Sequence, residues 1–158
     1  QTAKIDALPQ FLLPYHWKLV VNHNDQYHVA YVNIMKPEQN AADADIELDF
    51  IRGVLAYYKP QSQLNWLVHK RHGEQSDMHS LAKEIWSLDE FRDIRRFMMF
   101  PALDRIEQRA EGTCGVFVDH RFVIDGVRIP PFQFGACRDT QQKWSLYRFK
   151  ADKLININ

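Results

Sequence analysis

The stretch from Val116 to Tyr147 limits the fold more than any other, because it reads as one apolar run after another with turn chemistry between them. Val116-Phe117-Val118-Asp119-His120-Arg121-Phe122 is followed by Pro131-Phe132-Gln133-Phe134-Gly135-Ala136-Cys137-Arg138, and then by Trp144-Ser145-Leu146-Tyr147-Arg148. Asp125-Gly126 separates the first two runs, and an Asp-Gly pair in that setting is the strongest short-range hairpin signal. With Ala102 to Arg109 and a turn at Ala110-Glu111-Gly112 placed before them, the runs predict a four-stranded meander over 102–109, 113–124, 128–138 and 143–149.

The chain before this meander changes character twice. Trp17 to Asn22 and Tyr27 to Met35 are rich in β-branched and aromatic residues, and His23-Asn24-Asp25-Gln26 between them has turn chemistry, so a β-hairpin is expected. Ile46, Phe50, Ile51, Val54, Leu55 and Tyr58 then recur at helical spacing, with Asp43 or Asp45 placed to cap and Pro60 to stop the helix. Two more helices are expected over Asp77 to Trp86 and Leu88 to Phe100. Ser87-Leu88-Asp89-Glu90 has capping-box form, and Phe91, Ile94 and Met98 give the second helix one apolar face. Leu64 to His72 alternates like a strand yet is short enough for one or two helical turns, so residues 61–76 stay open. Strands, then helices, then strands again, joined by short turns, define an α+β class: an antiparallel sheet with about three helices packed on one face. Gln1 to Leu8 reads as a polar tether, and Pro9 to Tyr15 as a stiff arm that buries Phe11, Leu12 and Leu13. At 158 residues the rest, 9–158, is expected to form one domain.

Twenty Lys and Arg against twenty Asp and Glu leave no long-range field to draw in nucleic acid. The aromatics Phe117, Phe122, Phe132, Phe134, Trp144 and Tyr147 raise the idea of an RNA-stacking platform, but the chain lacks the Lys/Arg-Gly-aromatic motif of such sheets, so core packing is expected. No run approaches the ~18 apolar residues of a membrane helix. Glycine loops for phosphates, the dinucleotide fingerprint and the Gly-x-Ser-x-Gly elbow are all missing.

One pattern runs through most of the chain. A proline-aromatic arm (Pro9, Phe11, Pro14, Tyr15) leads into a strand begun by Trp17, and Tyr27-His28-Val29 lies on its partner. A helix leaves through Phe97, Phe100 and Pro101, and Asp119-His120-Arg121-Phe122 precedes Phe132-Gln133-Phe134-Gly135. This pattern resembles the water-soluble tail of a bacterial family of membrane-bound, metal-dependent hydrolases. The resemblance implies a parent protein in the bacterial inner membrane. A multi-span region upstream of Gln1 would carry the metal-binding His and acidic residues, possession of a divalent metal belonging to that region and not to this tail. It implies a non-catalytic accessory or interaction domain with no cofactor of its own, a protein partner, and either side of the membrane.

Two rival readings stay open: a free-standing enzyme using His69, His72, Asp119 and Arg121, and a small-molecule-binding module with a pocket between sheet and helices. Asp119 and Arg121, two apart on an expected strand, share a face and are the candidate binding pair for an anion or a partner; a solubilising surface ion pair is the plainer account. His69-Lys70-Arg71-His72, with Glu74 and His79 behind, is the best local metal candidate, but Lys70 stands where a His-Glu-x-x-His site needs its Glu, so no metal site is expected. His16, His23 and His28 read as surface or rim residues, and Cys114 as a nucleophile has no base beside it.

Cys114 and Cys137 pose a register question. A two-residue turn at Asp125-Gly126 sets Cys114 against Cys137, but it also puts Phe132 and Phe134 on the face opposite Val116 and Val118. Burying all four together requires a one-residue slip, for which Pro130-Pro131 offers a place, and the slip turns the cysteines apart. Two free thiols are therefore expected.

Overall fold

The structure, a computed structural model, describes residues 3–10, 13–35, 53–76, 78–124, 132–150 and 153–157. The fold is α+β, with an antiparallel N-terminal sheet, an antiparallel C-terminal sheet and short helices packed alongside. By internal contacts the chain divides into two compact units, Gln1–His69 and Lys70–Asn158. No helix among the described residues is long and apolar enough to cross a membrane.

The first unit is built on strands β1 (Lys4–Gln10), β2 (Leu13–His23), β3 (Gln26–Asn33) and β4 (Leu67–Lys70), in that spatial order. The expected hairpin is β2–β3: His23 pairs with Gln26, and Asn24 turns the chain in the left-handed region at φ 56°, which Asn tolerates better than most residues. The tether is replaced by a strand. Residues Lys4 to Pro9 pair antiparallel with Asn22 to Trp17, and Asp6, Leu8 and Gln10 alternate as the half-buried positions. An edge strand asks little of its side chains beyond that alternation, and it tolerates Pro9. Of the proposed arm, Phe11 and Leu12 lie outside the described residues, while Pro9 and Pro14 fall inside β1 and β2.

Most of the helix expected over 46–58 also lies outside the described residues, as do Asp43 and Asp45; residues 53–55 are helical. Lys59 then runs beside β3 as a parallel bridge to Val32, exchanging backbone hydrogen bonds with Asn33 and Tyr31. The open segment holds a 3₁₀ turn (Gln61–Gln63) and β4; of the alternating Leu64, Trp66 and Val68 only Val68 lies in the strand, and it is exposed.

The second unit begins with α1 (Met78–Ser87), a 3₁₀ turn (Asp89–Phe91) and α2 (Arg92–Phe97). Ser87 does not cap: as the last residue of α1 its hydroxyl donates to the Glu84 carbonyl at 2.8 Å, which competes with the capping-box geometry. The sheet is a meander of β5 (Pro101–Arg109), β6 (Gly112–Asp119), β7 (Gln133–Arg138), β8 (Trp144–Lys150) and β9 (Lys153–Asn156), one strand more than expected. Gly112 opens β6 at φ 116°, where any side chain would collide with the Arg138 carbonyl.

The register of β6 on β7 overturns the expectation of free thiols. Thr113 pairs with Arg138, Cys114 with Cys137, Val116 with Gly135 and Phe117 with Phe134, and a disulfide joins Cys114 to Cys137. The slip was invoked to bury valines and phenylalanines on one face, but both faces of this sheet are covered. Phe117 and Ala136 pack with Ala82, Ile85, Phe91, Ile94 and Met98 of the helical layer, and Phe134 adjoins them. Cys114, Val116, Cys137 and Phe149 form a second cluster with Tyr147 and Leu154. With two cores available, nothing is gained by the slip. The Asp125-Gly126 turn and Pro130-Pro131 themselves lie outside the described residues.

Candidate functional site

Asp119 is the last residue of β6, and Arg121 lies in the turn beyond it, so the two do not share a strand. The Asp119 side chain is 0% exposed. Its carboxylate accepts the backbone N–H groups of Met99 (2.8 Å), Phe100 (3.3 Å) and Arg121 (2.9 Å). It also accepts the Arg121 side chain through Nε at 2.9 Å and Nη2 at 2.7 Å. The bond to the Arg121 N–H two residues on is an Asx turn, which ends the strand earlier than the expected Ile124. Arg121 in turn donates from Nη2 to the Phe97 carbonyl at the C-terminus of α2, the end of a helix that favours a cation. The pair therefore fastens the segment after α2 to the end of β6. A carboxylate already holding five donors has no lone pair directed at a reactant.

The same clasp displays an aromatic cluster. Phe97 stacks on Phe122 at 6.3 Å between ring centres and meets Phe132 at 5.9 Å and Phe134 at 5.8 Å, and Phe122 meets Phe132 at 4.8 Å. The Arg121 guanidinium lies 5.2 Å from the Phe97 ring centre and 4.9 Å from that of Phe122. The Arg148 guanidinium lies 5.7 Å from Phe132. Strand register shows why the cluster forms where it does. Leu103, Phe117, Phe134, Arg148 and Ile155 are successive cross-strand partners and so occupy one row on one face. Leu103 and Phe117 are buried, Phe134 is half-buried, and Arg148 and Ile155 are exposed. Phe97 and Phe132 stay 43% and 38% exposed beside that row, against Phe134 and Arg148 respectively.

Phe132 holds φ at 60°, a left-handed conformation that costs a bulky residue about 1 to 2 kcal/mol. Strain of this sort concentrates at sites of recognition. Arg148 makes no ion pair among the described residues, whereas Arg121, Arg138 and Arg105 all do.

The histidines do not gather. His69 lies on β4; His72 and His79 approach edge to face at 6.4 Å, His79 Nε2 is 3.0 Å from the Gly73 carbonyl, and Glu74 pairs with Lys70. Among the described residues no three His, Cys, Asp or Glu side chains are grouped so as to hold a metal ion. His16 is less superficial than expected, with its ring edge-on to Tyr58 at 4.7 Å and burial lowering its pKa.

Sequence reasoning singled out Asp119 and Arg121 as a pair, which the structure joins as a clasp, but it did not single out Phe97 or Arg148 as candidate contact residues. A signal was present: Phe97 falls off the apolar face that Phe91, Ile94 and Met98 give α2, and an aromatic residue outside the buried stripe is a candidate for contact. No family model, curated protein or solved structure matches this chain.

Proposed function

We propose that this chain acts by binding: it is a non-catalytic accessory domain that takes up a segment of a partner protein on the Phe97, Phe122, Phe132 and Arg148 surface of its second unit. The observation that carries the reading is an exposed aromatic cluster bordered by an arginine with no ion pair among the described residues. Aromatic residues and Arg dominate the energetically decisive centres of protein interfaces, because they bury large area for few frozen rotors. The Arg148 charge calls for a carboxylate, and the rings call for an apolar anchor, so the partner segment combines the two. The buried Cys114–Cys137 disulfide favours an oxidising compartment for the domain.

Selection of random peptides against the full, oxidised chain tests this. A consensus of an aliphatic or aromatic anchor flanked by Asp or Glu is expected, with binding weakened about tenfold or more by Phe132→Ala and by Arg148→Glu. No enrichment, or peptides indifferent to both substitutions, would overturn it. The parent protein belongs to the same proposal: a membrane-bound hydrolase with its metal region upstream, as the sequence pattern suggests. Its coding sequence decides that part, since several apolar spans bearing His and acidic residues before Gln1 support it and their lack refutes it.

A further inference from the structure

The first unit contains a groove of about 310 Å³ lined by Tyr31, Ala56, Tyr57, Lys59, Asn65 and Leu67. The fold makes it by laying residues 56–59 and the segment around β4 beside β3, with Lys59 tied to β3 through its backbone and its side chain left over. Tyr31 is buried and meets Tyr57 at 6.0 Å and Tyr58 at 5.3 Å, so its ring is set by its neighbours before anything enters.

Three polar groups on the lining are unspent. Among the described residues the Lys59 ammonium has no ion pair, and neither the Asn65 amide nor the Tyr57 hydroxyl has a hydrogen-bond partner. Two tyrosine rings, a leucine and an alanine with a few convergent polar groups make up the composition of a small-molecule site, and the volume lies at the lower end of such pockets.

We infer that this groove binds a single-ring aromatic carboxylate: the ring lies among Tyr31, Tyr57 and Leu67, the carboxylate meets Lys59, and Asn65 supplies a further hydrogen bond. Among the described residues Lys59 is the one cation on the lining, while Lys18, 5.1 Å from the Tyr31 ring centre, is fully buried and already engaged, so the groove suits a monoanion better than a phosphate dianion. A single-ring acid fits within a groove of about 310 Å³. The inference concerns the first unit alone and does not rest on the aromatic surface of the second.

Titration of the ¹⁵N-labelled full chain with phenylacetate, phenylacetamide and phenyl phosphate, followed by amide shifts, tests it. Phenylacetate is expected to move the signals of Tyr57, Lys59, Asn65 and Leu67 saturably, and phenylacetamide to bind about tenfold more weakly. Lys59→Met should abolish the preference for acid over amide, since it keeps the apolar stem and the backbone bonds to β3 while removing the charge. Lys59→Gln serves the same end should the methionine variant misfold. Asn65→Ala should weaken acid and amide alike. Absence of saturable shifts in this unit, equal binding of acid and amide, an unchanged preference in both Lys59 variants, or tighter binding of phenyl phosphate would each overturn the inference.

Discussion

Asp119 in the second unit and Tyr58 in the first are both buried polar side chains, and their hydrogen bonding differs. In the second, Asp119 is fully buried and accepts five donors, so its charge fixes backbone geometry. In the first, the Tyr58 hydroxyl and His16 Nδ1 are buried with no hydrogen-bond partner among the described residues. A hydroxyl left unpaired loses its solvation without return, and burial pushes its pKa far up. The difference teaches that the Asp119 carboxylate is spent on the frame of the second unit, and the segment it fastens presents the Phe97 ring outward. In the first unit the buried Tyr58 hydroxyl has no such role, and the polar groups on the groove are a separate set that stays exposed or half-buried.

That contrast can be broken by substitution. Asp119→Ala should destabilise the second unit by about 3 to 5 kcal/mol, because it strands Arg121 and unpairs the Met99 and Phe100 N–H groups. Hydrogen exchange resolved by residue is the measurement. A loss under about 1 kcal/mol would return the pair to the rank of a surface salt bridge. Next in size is the disulfide, which closes a loop with a sequence separation of 23. Reduction should cost the second unit about 3 kcal/mol in a denaturant melt and leave the first unit's exchange unchanged. Unreduced protein should yield a linked Cys114–Cys137 peptide pair in mass spectrometry; two free thiols would restore the slipped register.

Tyr58→Phe should stabilise the first unit by about 1 kcal/mol, since it removes the unpaired hydroxyl and keeps the ring against His16 and Tyr31. A loss of stability would mean that the hydroxyl has a partner after all.

Acid gives the smallest separation. The His16 pKa is lowered from 6.5 by burial, so the folded state resists protonation; its contribution is complete above pH 6.5 and is lost as pH falls through the folded value. Glu107 also has a lowered pKa. Burial alone would raise it, but hydrogen bonds from Arg109 and Arg105 prevail, so its contribution is present above 4.5 and is lost as pH falls through its folded value. On acidification the first unit should therefore lose stability at a higher pH than the second. His16→Gln should remove that early loss, as followed by exchange across a pH series.

How far the sequence could be read depended on how many faces of a strand were covered. The β2–β3 hairpin and the meander were legible because Asn24-Asp25 and the alternating apolar runs carry their own local chemistry. The β6–β7 register was misjudged because one buried face was assumed. Phe117 and Val116 point to opposite faces, and each finds a core. β1 was missed because an edge strand needs only half its positions covered, and Lys4–Gln10 is mostly polar or exposed. Asp119 and Arg121 were legible as a pair. Their burial was not, since it depends on the segment after α2 folding back to supply N–H groups twenty residues away in sequence. The groove at Lys59 depends on a backbone bridge to β3 that no local pattern announces.

The claim that the second unit works by binding an acidic, apolar segment is tested most directly by reversing one charge. Arg148 is exposed and has no ion pair among the described residues, so Arg148→Glu leaves the core intact while inverting the sign at the edge of the aromatic cluster. Repeating the peptide selection on that variant should keep the apolar anchor and change its flanking residues from Asp and Glu to Lys and Arg. A consensus whose flanking charges are the same for both proteins would contradict the account.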